Sequence, residues 1–330
     1  MTAPLLRVEN LSVRFDEVPV VEDVSFALNP GETLAIVGES SSGKTVTALA
    51  LMRLLGNAKT CRVSGRALML DSHGAAIDLL SLPEREMADL RGQAISMIFQ
   101  EPMSSLNPVH TVGAQIAETL VRHKRLPHRA AMAETVSLLE QVGIPEPHRR
   151  ASAYPHEMSG GMRQRVMIAM ALACRPGILI ADEPTTALDV TIQAEILELL
   201  RRLQRENGMS MIFITHNLGI VAQIADRVMV MYSGQVVEEA PASALLGGHL
   251  MPYTVGLMRS LPRLEAAFEH DRRLSAIPGN VPDPRHRPEG CVFHPRCEHV
   301  RDVCKQHIPG LERIAPAHLM RCRRWREIAT

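Results

Sequence analysis

Apolar and polar positions alternate through residues 5–30, with Leu11, Val13 and Phe15 and then Val24, Phe26 and Leu28 on the apolar phase. A period of two is that of half-buried strands. Glu32 to Val37 is an apolar run of strand length, and Val46 to Met52 can continue a helix. Ala94 to Phe99 is another short apolar run, ending at Gln100. Residues 113–142 read as helices, with Ile116, Leu120, Leu138, Leu139 and Val142 at helical spacing, and residues 161–174 read as a further helix. Ile178 to Ala181 and Met209 to Thr215 are buried strands. Strands alternating with helices predict an α/β fold with a parallel sheet. The helical block between Gln100 and Met158 reads as an insertion between the two halves of that sheet. From about residue 240 the composition changes. Pro278, Pro282, Pro284 and Pro288, with Gly279 and Gly290, make residues 278–290 a stiff, extended connection, and four of the six cysteines follow it.

Composition narrows the classes. A chain of 330 residues can bury a large core and divides into about two or three compact units. The formal net charge of zero argues against a nucleic-acid partner held by a basic surface. No apolar run reaches the ~18 residues of a membrane span; Val166 to Cys174 is far too short. The N-terminus, Met1 to Arg7, lacks a signal peptide's long apolar region. The chain therefore reads as cytosolic, where disulfides are rare.

Gly38-Glu39-Ser40-Ser41-Ser42-Gly43-Lys44-Thr45 fits G-x-x-x-x-G-K-[ST], the phosphate-binding P-loop, between a strand and a helix as that motif requires. Its backbone N–H groups and a helix dipole of about +0.5 charge would face the phosphates. Lys44 would reach the β- and γ-phosphates, and Thr45 Oγ would bind Mg²⁺. Ile178 to Glu183 is an apolar strand ending in two acids. Asp182 can hold the Mg²⁺ shell, and Glu183 can polarise a water for attack on the γ-phosphate. Ser159-Gly160-Gly161 precedes a helical run and makes a second anion-binding helix N-terminus. One P-loop already serves one triphosphate, so the second N-terminus makes sense if it serves a nucleotide held by another subunit.

Tyr154 to Arg165, with Ser159, Gly160, Gly161 and Gln164, resembles the signature motif of the ATP-binding cassette (ABC) transporter ATPases. The other cassette elements follow in order. Gln100 matches the Q-loop, which touches Mg²⁺ and the membrane subunits. Ala187-Leu188-Asp189 matches the D-loop, His216 the switch histidine that contacts the γ-phosphate, and Phe15 the aromatic that stacks on adenine. The resemblance implies an ATP site formed by Phe15, Gly38 to Val46 and Gln100, with Mg²⁺ held through Thr45, Gln100 and Asp182 and catalysis by Glu183 and His216. Phe99 to Pro108, Ala181 to Gln193, Pro252 to Leu257 and Gly290 to Cys297 are similar to the oligopeptide/dipeptide importer ATPases within that superfamily. Ser41 stands where the family more often has Gly, and Met158 replaces the signature's usual Leu.

This resemblance implies a RecA-like P-loop core with an antiparallel β-subdomain and an inserted helical subdomain at about 101–160, all within residues 1–240. Residues 241–330 would form the importer family's C-terminal extension. It implies a head-to-tail pair of ATPases, the second a paralogue or an identical copy, with two permease subunits and a periplasmic or extracellular substrate-binding protein. The subunit would be peripheral, on the cytoplasmic face of the cell's inner membrane. Glutathione, opines, nickel chelates and oligosaccharides are alternative cargoes to peptides. A soluble ABC ATPase of DNA repair or translation is the rival reading, though such proteins usually carry two cassettes or long coiled-coil insertions. Cys291, Cys297, Cys304 and Cys322 are separated by five, six and seventeen residues, which is not the C-x₂-C pairing of common zinc sites. Four thiolates can complete an Fe–S ligand set, and the resemblance implies a [4Fe-4S] cluster. One zinc, with His294 or His299, and free thiols are the alternatives.

Overall fold

The strands, numbered along the chain, are β1 (Leu6–Phe15), β2 (Val18–Leu28), β3 (Thr33–Val37), β4 (Cys61–Leu70), β5 (Ala76–Asp78), β6 (Ile95–Ile98), β7 (Ile178–Asp182), β8 (Ser210–Thr215), β9 (Arg227–Tyr232), β10 (Gln235–Pro241), β11 (Glu312–Ala315) and β12 (His318–Met320). They belong to a computed structural model that describes residues 3–56, 60–71, 73–101, 105–186, 188–248, 251–260 and 276–328. Pro102, Met103 and Ser104 of the stretch after the Q-loop, and Ala187 before the D-loop aspartate, lie outside the described residues. The chain divides into two compact units, one of Met1–Leu28, Thr33–Ser81 and Ile214–Thr330, the other of Asn29–Glu32 and Leu82–Phe213.

The first unit holds an antiparallel sheet in the order β2-β1-β4-β5. Leu6, Val8, Leu11 and Val13 of β1 are all buried, but the step from Val8 to Leu11 is three residues rather than two. The register against β2 shifts there, and Asn10 takes φ 51°. A bulge of this kind absorbs the extra residue and keeps the apolar set on one face. A second group of strands runs β11-β12-β10-β9-β3. Only the β3–β9 pair in it is parallel, as the alternating pattern predicts; β9–β10, β10–β12 and β11–β12 are antiparallel. The two strands of the C-terminal extension thus continue the sheet that carries the P-loop.

Packing follows the same plan. Ala35, Val37, Val230 and Tyr232 share one apolar cluster with Met251, Tyr253, Leu257, Val292, Phe293 and Met320. Tyr232, Tyr253 and Phe293 form a three-ring group with centroids 4.6–5.3 Å apart. Beside it the fully buried Glu238 of β10 has its carboxylate 2.8 Å from His318 Nε2 and accepts from the Thr254 hydroxyl and the Met251 N–H. A buried carboxylate stays tolerable only when it is hydrogen-bonded in this way. The Pro-rich segment is fixed at Arg287, which donates to Glu22 and to the Pro19 carbonyl, 2.9 Å away.

The second unit carries strands in the order β8-β7-β6, with β6 and β7 parallel. The helical stretch at 113–142 is two helices, Val112–Lys124 and His128–Gln141. The break falls where Arg125 turns left-handed at φ 53° and Pro127 has no N–H to continue the ladder. Ile116, Leu120, Leu138 and Leu139 are buried, the faces that helical spacing selects. Among the described residues no helix is long and apolar enough to cross a membrane.

Candidate functional site

The P-loop is set by steric necessity at its two glycines. A Cβ at Gly38 would lie 2.2 Å from the Met231 carbonyl oxygen, so only glycine lets the chain leave β3 there. Gly43, at φ 97°, caps the helix Lys44–Leu51 and has Val20 O within 3.1 Å of any added Cβ. Ser41 also takes positive φ, 65°, a conformation that costs an L-residue about 1–2 kcal/mol. Lys44 is 5% exposed, and its ammonium donates to the carbonyls of Gly38 and Glu39, both at 2.8 Å, and to Ser42 Oγ at 3.4 Å. The cation is folded over its own loop. Ser40 and Ser41 are exposed, Thr45 and Val46 half-buried. Phe15, at the end of β1, is half-buried, and His216, just past β8, is exposed.

Two residues that sequence reasoning missed complete this loop. Glu39 N–H donates to Tyr253 Oη at 2.8 Å. Its carboxylate accepts two bonds from Arg296, Nη1 to Oε2 at 2.7 Å and Nη2 to Oε1 at 3.0 Å. Paired bonds of this kind are the strong form of the arginine–carboxylate contact. The Arg296 side chain is 4% exposed. It also donates to Tyr232 Oη, Ile277 O and Pro278 O, and its guanidinium lies 5.8 Å from the centre of the Tyr232 ring. Burial pushes the Tyr253 and Tyr232 hydroxyls above their ordinary range, so both are neutral around the loop.

In the second unit the two acids differ. Asp182, the last residue of β7, is 1% exposed, whereas Glu183 is half-buried and left-handed at φ 47°. Non-glycine residues in this region cost free energy and cluster at working sites. Glu183 Oε2 accepts from Gln100 Nε2 at 3.2 Å and from Thr186 Oγ1 at 2.8 Å. The Q-loop glutamine and the acid expected to activate water therefore touch. Ser159 caps the helix Gly160–Leu172, with Oγ accepting from Met162 N–H at 3.3 Å, and both Ser159 and Gly160 are exposed. A Cβ at Gly161 would lie 3.0 Å from Ile192 Cγ2. Gln164 is only 2% exposed and sits on the inner side of that helix. Asp189 is exposed and caps the helix Val190–Asn207 through Ile192 N–H, 3.0 Å away.

Residues 21–186 match the ABC transporter family model, and residues 237–304 match the oligopeptide/dipeptide transporter C-terminal region. A peptide import ATP-binding protein of Brucella abortus (strain 2308) is 50% identical over 99% of this chain and 98% of its own length. The oligopeptide transport ATP-binding protein OppD of Salmonella typhimurium is 48% identical over 96% of this chain and 93% of its own. The chain belongs to the ABC transporter family. Among solved structures, a dimeric ATP-binding cassette in a post-hydrolysis state with ADP and Pi matches at TM-score 0.62 and 25% identity, over 72% of this chain and 98% of that one. The cassette cbiO1 of Clostridium perfringens matches at TM-score 0.62 and 27% identity, over 74% of this chain and 92% of that one. The fold is that of an ABC ATPase, and ATP hydrolysis is its reaction.

The C-terminal region of this ABC subunit brings its four cysteines together. Cys291, Cys297, Cys304 and Cys322 line one cavity with Phe293, His294 and His299. Gly290 makes this closure possible, because a Cβ there would lie 2.4 Å from Cys304 O. The next residue, Cys291, donates its N–H to that same oxygen at 2.8 Å. All four thiols are free. Burial pushes Cys291 and Cys322 up to about 11, and the neighbouring thiols add to the effect. Among the described residues, no group of three or more His, Cys, Asp or Glu closes on a point that could hold a metal ion. That geometry favours neither one zinc nor a [4Fe-4S] cluster over the other. Four thiols with two histidines beside them offer donors for iron–sulfur or for zinc chemistry.

Proposed function

We propose that this ABC ATPase powers the import of di- or oligopeptides. Identity of 48–50% along nearly the whole chain to peptide import ATP-binding proteins carries this reading. Lys44 and Thr45 bind the β- and γ-phosphates and Mg²⁺, with Gln100 and Asp182 completing the metal shell. Glu183 positions the attacking water, His216 contacts the γ-phosphate, and Phe15 packs on adenine. Ser159, Gly160 and Gly161 offer a helix N-terminus to the nucleotide of a second ATPase subunit, a paralogue or a copy of this chain, with Asp189 at the same interface. Residues 1–240 form the nucleotide-binding domain and 241–330 the importer extension. Two permeases anchor the pair on the cytoplasmic face of the cell membrane, and a substrate-binding protein delivers the cargo.

Reconstitution with the permeases and binding protein in liposomes tests the reading. ATP hydrolysis should rise when the binding protein is loaded with an oligopeptide, and both basal and stimulated hydrolysis should be lost in the Lys44→Ala variant. Stimulation by a nickel chelate or glutathione and not by peptide would reassign the cargo.

The four cysteines are proposed to take a [4Fe-4S] cluster, which would supply a structural cross-link. Their shared cavity and the four thiols in it support this. Anaerobically purified protein should contain about four irons per chain, and Cys304→Ser should lose them while retaining ATP binding. One zinc without iron, or neither metal, would remove the cluster.

A further inference from the structure

Glu39 poses an electrostatic problem. It lies inside a loop whose task is to hold a triphosphate, and a carboxylate there repels the ligand. ATP carries about four negative charges, and a carboxylate in the loop that holds them adds a like charge to a partly buried site. The residue that answers this charge comes from the far end of the chain. Arg296 donates both of its terminal nitrogens to the Glu39 carboxylate and is itself almost wholly buried, while Glu39 is 28% exposed. Burial and five hydrogen bonds hold the guanidinium where it is. Tyr253 fixes the backbone of the same residue through the Glu39 N–H.

We propose that Arg296 is a positioning residue of the nucleotide site, neutralising Glu39 so that the P-loop accepts the ATP phosphates. The proposal rests on the nucleotide-binding reading of the P-loop and adds the C-terminal extension to it. Arg296 acts through Glu39 and need not touch the nucleotide. It stands next to Cys297, so the thiol cavity and the phosphate loop are joined by a single side chain.

Charge and mere packing make different demands. If Arg296 acts by cancelling a charge, removing the charge it cancels restores binding. If it acts only as a brace, removing Glu39 as well cannot help. Affinities of the full-length chain for AMP-PNP and for ADP, by calorimetry, decide between the two. Arg296→Met keeps an apolar stem against Tyr232 and should weaken AMP-PNP about tenfold, a loss of about 1.4 kcal/mol. It should weaken ADP less, because ADP carries one negative charge fewer. Glu39→Gln alone should bind AMP-PNP at least as tightly as wild type. The double variant Glu39→Gln/Arg296→Met should return to within about twofold of wild type. An unchanged AMP-PNP affinity in Arg296→Met, or equal weakness in the single and double variants, would overturn the proposal. So would weaker binding by Glu39→Gln alone, a variant that keeps the side chain's shape and an oxygen to accept from Arg296 and stays readable even if Arg296→Met does not fold. Failure of the wild-type chain to bind AMP-PNP would instead strike the nucleotide-site reading itself.

Discussion

Two helix N-termini in this molecule are built from similar residues and finished differently. At Gly43 the loop is closed by its own chain: Lys44 is folded onto the Gly38 and Glu39 carbonyls, and Glu39 is held by Tyr253 and Arg296. At Ser159 the side chain caps its own helix and the residues stay exposed. Both ends carry the partial positive charge of a helix start. The first is held by bonds within its own chain, while the second is presented outward. A site that must exist in one subunit needs internal supports. In the trans role proposed for Ser159, the site would have to remain uncovered, and Ser159 and Gly160 are exposed.

The comparison breaks most visibly at Glu183. It belongs to the same unit as Ser159 but is held internally, by Gln100 and Thr186. Glu183→Gln should leave ATP binding intact and lower steady-state hydrolysis by about 10²–10⁴-fold, the usual loss for a general base. Wild-type turnover in that variant would take the catalytic role away from Glu183. A smaller effect, on binding, separates the two N-termini themselves. Lys44→Ala removes a buried charged donor, worth about 1.5–3 kcal/mol in such contacts, so nucleotide affinity of the isolated subunit should fall about 10–100-fold. Ser159→Arg should leave that affinity unchanged while abolishing hydrolysis by the assembled pair. Equal loss of affinity in both variants would erase the distinction between an internal and an outward-facing end. The smallest effect tests how well the first loop is shaped. Ser41→Gly relieves a left-handed serine and should raise unfolding stability by up to about 1 kcal/mol, read as a small rise in Tm. A fall in Tm would mean that the Ser41 side chain contributes more than its backbone strain costs.

The parts of this architecture that were legible in the sequence are local. The P-loop, the signature and the apolar strand before Asp182 are contiguous patterns, and each stands on the element its pattern predicts. The bulge at Asn10 is less visible, because a three-residue step between Val8 and Leu11 reads as lost alternation until the pairing with β2 is seen. The split at Arg125–Pro127 carried its signal in the proline, but the apolar spacing on both sides masked it. Glu183's positive φ has no signature at all, since nothing in an apolar strand ending in two acids announces a left-handed residue. Arg296 was the least legible. Pro295-Arg296-Cys297 marks a family extension, yet its contact with Glu39 spans 257 residues and lies beside the packed rings of Tyr232, Tyr253 and Phe293.

That separation has a consequence for how the protein is made. Translation adds about 5–20 residues per second, so Arg296 leaves the ribosome's catalytic centre roughly 13–50 s after Glu39 on the same scale. Throughout that interval the nascent P-loop carries an unanswered carboxylate, and for most of it the Tyr253 hydroxyl is missing as well. If Arg296 tunes the loop as proposed, the newborn ATPase reaches its full nucleotide affinity only when the chain is nearly complete, and a truncated product ending before the extension would hold its fuel less well.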